Sequence, residues 1–147
     1  MAGRNERDEA EEFTFPHLVK WVEMAVRARI ERDMRDFPIS SSQLFAIVLI
    51  EARGEATSAE VARMMRITPQ AMTTLLGPLR REGYIVATPD QAHRRRLLLK
   101  LTGKGRATLE RARKLNPAVE EEFLGDFTAE ERALLKRMLA QIAEGFT

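Results

Sequence analysis

The sequence contains no cysteine, which excludes disulfide staples, thiolate zinc sites and thiol-based redox sensing. It has only two histidines, His17 and His93, far apart in unrelated segments. Ser40, Ser41 and Ser42 have no adjacent base, and the acids are spread over helix faces. No catalytic triad, metal pair or phosphate-cradling loop can be assembled from these residues, so the expectation is no enzyme, no cofactor and no metal. No apolar run reaches the roughly 18 to 20 residues that span a bilayer. The acidic N-terminus lacks the basic-then-apolar order of a signal peptide, which points to a soluble cytoplasmic protein. Aromatics are scarce at 6%, and the seven methionines are read as core filler.

What is present is regional charge. The net charge is +2 over 147 residues, but Glu60 to Lys114 holds 13 Lys or Arg against four acids, while residues 1–16 carry −3 and residues 115–147 carry −4. One basic face set against a phosphate backbone has this distribution. With 44% hydrophobic residues the chain can bury one core, or a small core plus an interface shared with a second copy.

Periodicity divides the chain into helices and one hairpin. Residues 1–14 are charged and nearly free of apolar side chains, and read as a flexible acidic arm. Leu18, Trp21, Val22, Ala25, Val26 and Ile30 recur at helical steps, giving a first amphipathic helix over 17–34, with Pro38 beyond it. Ser40 with Gln43 is a capping box opening a second helix, which stops near Gly54; its run Leu44, Phe45, Ile47, Val48, Leu49 suggests burial on most sides. Thr57 with Glu60 repeats the signal for a short third helix. Thr68 then caps a fourth, with Pro69 at its first position. Met72, Leu75, Leu76 and Leu79 form the buried stripe of that helix, leaving Pro69, Gln70, Thr73 and Thr74 on its outer face. Gly77-Pro78 should bend its second half.

Tyr84 to Ala87 and Leu97 to Leu101 read as the two strands of a hairpin, joined by the turn-like Pro89 to His93. Arg94, Arg95 and Arg96 stand near its tip, charge held out toward a polyanion. Thr102 caps a fifth helix that Asn116-Pro117 interrupts or ends, and Thr128 with Glu131 opens a last amphipathic helix through Ile142. The order is α-α-α-α-β-β-α-α: mainly α, with a small β-hairpin wing.

Three segments, Thr57 to Thr73, Leu79 to Ile85 and Arg94 to Gly105, resemble the MarR family of winged-helix transcription regulators in content and spacing. The resemblance implies a winged helix-turn-helix DNA-binding region over 38–102 and a helical dimerisation region formed by 15–37 and 103–147. It further implies a homodimer with a ligand cleft near the junction. Two departures stand out. The family usually places an acid where this chain has His93, to pair with the arginine two residues on; here either Asp90 substitutes as the partner of Arg95 or the wing is more mobile. The family also commonly places a base near the end of the first wing strand, where Ala87 and Thr88 stand here.

The residues expected to meet DNA are Thr68, Pro69, Gln70, Thr73 and Thr74 in a major groove, Arg94 at a minor groove and Arg95 at the wing or a phosphate. His17, Trp21, Arg27, Arg29 and Phe45 are candidates for a pocket that takes an aromatic acid or related thioester, aromatic walls with a cationic anchor. Arg27 and Arg29, two positions apart, lie on different helix faces and do not share one carboxylate. The function expected is a homodimeric repressor on a pseudo-palindromic operator, released by a small organic effector. The rivals are a constitutive or architectural DNA-binding protein, and a protein-interaction module of winged shape.

Overall fold

The computed structural model describes residues 13–145, so most of the expected 1–14 arm lies outside the described residues. Helix α1 (Phe15–Asp33) is followed by α2 (Ser41–Arg53), a two-residue strand β1 (Ala56–Thr57), α3 (Ser58–Met65), α4 (Pro69–Arg81), β2 (Ile85–Pro89), β3 (Leu97–Leu101), α5 (Gly103–Arg113), α6 (Asn116–Leu124) and α7 (Ala129–Glu144). The three strands form one antiparallel sheet in the order β1-β3-β2, with Ile85 opposite Leu101 and Ala56 opposite Leu99. The wing is therefore not a free hairpin. β1, too short to show a period, fastens it to the start of α3.

Local chemistry sets the helix starts. Ser40 and Gln43, Thr57 and Glu60, and Thr128 and Glu131 each form the reciprocal capping box, while Thr68 and Thr102 accept from the third backbone N–H ahead. Each such cap is worth about 1 kcal/mol. Thr102 also donates its hydroxyl to the Gly83 carbonyl at 2.5 Å, which locks the start of α5 to the end of α4.

The core lies between α2, α3, α4, α5 and the sheet, with Ile47, Ile50, Val61, Met72, Leu79 and Leu109 fully enclosed. In β3 Leu99 and Leu101 point inward and Lys100 outward, the two-residue alternation of a half-buried strand. α2 departs from the sequence expectation. Its inner face is closed, but Phe45 is 50% and Val48 36% exposed, because one side of the helix borders a cleft. The fifth helix stops at Arg113 and a separate α6 begins at Asn116, with Pro117 in its first turn, where the missing N–H costs nothing. Pro78 sits inside α4 without ending it.

Neither α1 nor α7 contains a buried residue. Ion pairs join them to α6: Arg29 and Arg32 meet Glu122 from α1, and Lys136 meets Glu120 from α7 at 2.6 Å.

Candidate nucleic-acid interface

The turn between α3 and α4 is tight. Arg66 adopts a left-handed conformation (φ 55°, ψ 40°), and Ile67 N–H reaches back to the Ala62 carbonyl at 3.1 Å, closing the end of α3. Thr68 then caps α4 by accepting from Ala71 N–H at 3.1 Å. With Met72, Leu76 and Leu79 buried, the helical period leaves Thr68, Pro69, Gln70, Thr73 and Thr74 exposed together. The hydroxyls of Thr73 and Thr74 donate to the carbonyls of Pro69 and Gln70, at 3.0 and 3.2 Å. Their outward lone pairs remain acceptors. The Gln70 amide, offering both donors and an acceptor, makes no hydrogen bond to another described side chain or backbone group. Gln43 fixes the pose of α4 by donating from Nε2 to the Leu75 carbonyl at 3.3 Å.

In the wing, Asp90 does not replace the missing acid. Its carboxylate accepts from Ala92 N–H at 2.8 Å, while its own N–H donates to the Arg96 carbonyl at 2.9 Å, so it shapes the turn instead of bracing Arg95. Arg94 and Arg95 are exposed and hold no ion pair among the described residues. Arg96 lies 4.0 Å from Glu60, and Lys100 is 2.8 Å from Glu55. The wing is thus braced along β3, by Arg96 just ahead of its first residue and by Lys100 near its last. Glu60 receives the Thr57 backbone N–H and hydroxyl, both at 2.7 Å, and these bonds, with Arg96 nearby, hold its carboxyl below the usual range.

A groove of about 130 Å³ runs between α4 and the wing, lined by Ser58, Thr73, Leu76, Gly77, Arg80, Ala87, Leu97 and Leu99. It sets Thr73 and Arg80 of α4 beside Ala87, Leu97 and Leu99 of the wing strands. Arg80 and Ser58 were not among the residues singled out from sequence. The signal for Arg80 was available: Thr73, Gly77 and Arg80 are spaced four and three apart, on one helix face.

The second site is a cleft of about 700 Å³ between α1 and α2. Val26 and Ile30 from α1, Leu44, Phe45 and Val48 from α2, and Met65 and Ile67 around the α3–α4 turn give it apolar walls, with Glu23, Arg27, Ser41, Ser42 and Asn116 as polar groups. Of the expected pocket residues, Phe45 and Arg27 line it. Arg27 is already paired with Glu23, whose carboxyl is held low first by Lys20 and then by Arg27. The other three stand elsewhere. Trp21 is exposed and meets the edge of Phe13 at 5.4 Å, His17 lies 3.0 Å from the Thr14 hydroxyl, and Arg29 is held by Asp33 and Glu122.

This architecture has known counterparts. Residues 37–96 match the model of the MarR family. The HTH-type transcriptional repressor Rv2887 of Mycobacterium tuberculosis is 26% identical, over 90% of this chain and 96% of its own. Among solved structures, the transcriptional repressor CouR bound to a 23-mer DNA duplex is 25% identical with a TM-score of 0.78, covering 97% of this chain and 99% of that one. A mutant MarR of E. coli complexed with operator DNA is 22% identical with a TM-score of 0.75, covering 90% and 95%, a likeness of fold. The helix-turn-helix and wing segment thus matches the MarR family, and the whole chain shares its winged-helix fold with these transcription regulators.

Proposed function

We propose that the protein is a homodimeric DNA-binding transcriptional repressor whose hold on its operator weakens when a small organic molecule enters the cleft between α1 and α2. The observation that carries the DNA reading is the common groove flanked by α4 and the wing: a helix presenting Gln70, Thr73 and Thr74 beside a hairpin tipped with Arg94 and Arg95, which hold no ion pair among the described residues. Amides and hydroxyls suit base edges in a major groove, and guanidinium groups suit the negative potential of a narrow minor groove. Two copies related by a twofold axis would set their α4 helices in successive major grooves, about 34 Å apart.

Support for the dimer comes from the flanking helices. Trp21 and Val22 on α1, and Leu134, Met138 and Leu139 on α7, are each 45% exposed or more, a concentration of apolar surface that a monomer rarely leaves in water. Support for the effector comes from the position of the cleft, whose walls belong at once to α1 and to the turn leading into α4. A ligand that prefers one spacing of those elements shifts DNA affinity by its differential affinity for the two arrangements. An aromatic acid would have to share Arg27 with Glu23.

Fluorescence anisotropy with the DNA upstream of the protein's own gene tests the reading. Tight binding at low salt, reduced by a molecule that also raises the melting temperature, is expected. Binding without response to any of a broad set of aromatic acids and thioesters would favour a constitutive DNA-binding protein. No binding would favour a protein-interaction module.

A further inference from the structure

α2 faces two ways. Gln43, Ala46, Ile47 and Ile50 recur at three- and four-residue steps along its inner side, and the last three are buried in one core with Met72, Leu76 and Leu79 of α4. Ser41, Leu44, Phe45 and Val48 recur in the same way on the opposite side, and all four line the cleft between α1 and α2. A helix moves as one rigid element, so whatever displaces the cleft side carries the inner side with it.

At the head of the inner side, the amide of Gln43 has two attachments. Its Oε1 accepts from the Ser40 N–H at 2.9 Å, completing the capping box that fixes the start of α2, and its Nε2 donates to the Leu75 carbonyl of α4 at 3.3 Å. The grip falls where α4 is least held by its own ladder. Pro78 has no N–H, so the Thr74 carbonyl lacks its helical donor, and Leu75 is the next residue. Thr73 and Thr74, which face outward, belong to that same turn.

We infer that Gln43 is the positioning residue through which an occupant of the cleft acts on α4: its amide holds α4 in the arrangement that binds DNA, and an occupant that shifts α2 opens the bond to Leu75. The inference rests on the effector reading and names the residue that carries the effect. Coupling of this kind is reciprocal, since the closed bond favours DNA and disfavours the occupant.

The test is a double-mutant cycle on DNA affinity, read by anisotropy on the upstream duplex at one salt concentration. Gln43→Glu keeps the capping box, in which glutamate serves as well as glutamine, and removes the donor to Leu75. Val48→Trp fills the cleft with a tethered indole, standing in for a free molecule, from the side of α2 away from Gln43. Gln43→Glu should weaken DNA binding roughly fivefold per subunit, the worth of one hydrogen bond. Val48→Trp should weaken binding by the otherwise unsubstituted protein and add little to Gln43→Glu, because the bond it opens is already gone. Two factors that multiply in the double variant, as they do for sites that do not communicate, would reduce Gln43 to a structural role and overturn the inference. Gln43→Glu with unchanged affinity would overturn it as well. Unchanged affinity in Val48→Trp would overturn the effector reading and the link together, and failure of the unsubstituted protein to bind the duplex would overturn the DNA reading. Ser41→Phe, which fills the cleft from the other end of the same stripe, replaces Val48→Trp in the cycle if that variant has a lower urea midpoint.

Discussion

At Gly105 the fold leaves no room for a side chain: a Cβ would stand well inside contact distance of the Tyr84 carbonyl oxygen, against which α5 begins. Gly105→Ala should therefore push α5 off the sheet and cost roughly 1–3 kcal/mol, read as a lower urea midpoint. Glu60 joins the α3 cap to Arg96 at the start of β3. Because its folded carboxyl is held low, its contribution is complete above the ordinary carboxylate range, near 4.3, and is lost as pH falls through the lowered value. Glu60→Gln should be less stable than the parent at neutral pH, and the gap should close in acid, as urea titrations across pH would show. Arg94→Ala should lower the salt slope of DNA binding by about 0.9 per subunit, since no acid among the described residues neutralises that guanidinium. Cap residues were legible because Ser, Thr, Gln and Glu act at fixed offsets. The role of Asp90 was not, because an Asx turn and a cross-wing ion pair use the same carboxylate and only the coordinates distinguish them.

Among the elements, α1 and α7 present a problem that one chain does not solve: both are amphipathic and neither buries a side chain. If a second copy covers them, Leu139→Glu should place a charge in that contact. The expected outcome is a monomer by light scattering with unchanged helical circular dichroism, since Leu139 is 50% exposed and outside the core of the subunit. Persistence of the dimer would mean that α7 lies outside the interface. Long periodic helices were legible in the sequence, and so was the hairpin. β1 was not, since two residues carry no period and its pairing with β3 is a tertiary event. α2 misled because a continuous apolar run has the same pattern whether its outer residues meet a core or line a cleft. α6 shows in the sequence only as the point where Asn116-Pro117 interrupts or ends the preceding helix, because an Asn-Pro pair ends one helix and begins another with the same residues. The cleft itself is built from α1, α2, α6 and the α3–α4 turn, and no local pattern assembles residues so far apart.

In the whole molecule, the charge separation of the sequence becomes geometry. The basic middle of the chain forms α3, α4, the wing and α5, and the acidic C-terminal segment forms α6 and α7, where Glu120, Glu121 and Glu122 pair with Lys136, Arg132 and the arginines of α1. A basic surface can approach a polyanion while the acidic segment keeps its own charge apart from it, three of its carboxylates in ion pairs. The central claim is that the α4 face and the wing of two subunits engage a single duplex. Hydroxyl-radical footprinting of the upstream DNA at saturating protein tests it most directly. The account predicts two protected backbone patches related by a dyad, with centres about one helical turn apart. A single patch without symmetry, or uniform reactivity along the duplex, would contradict it.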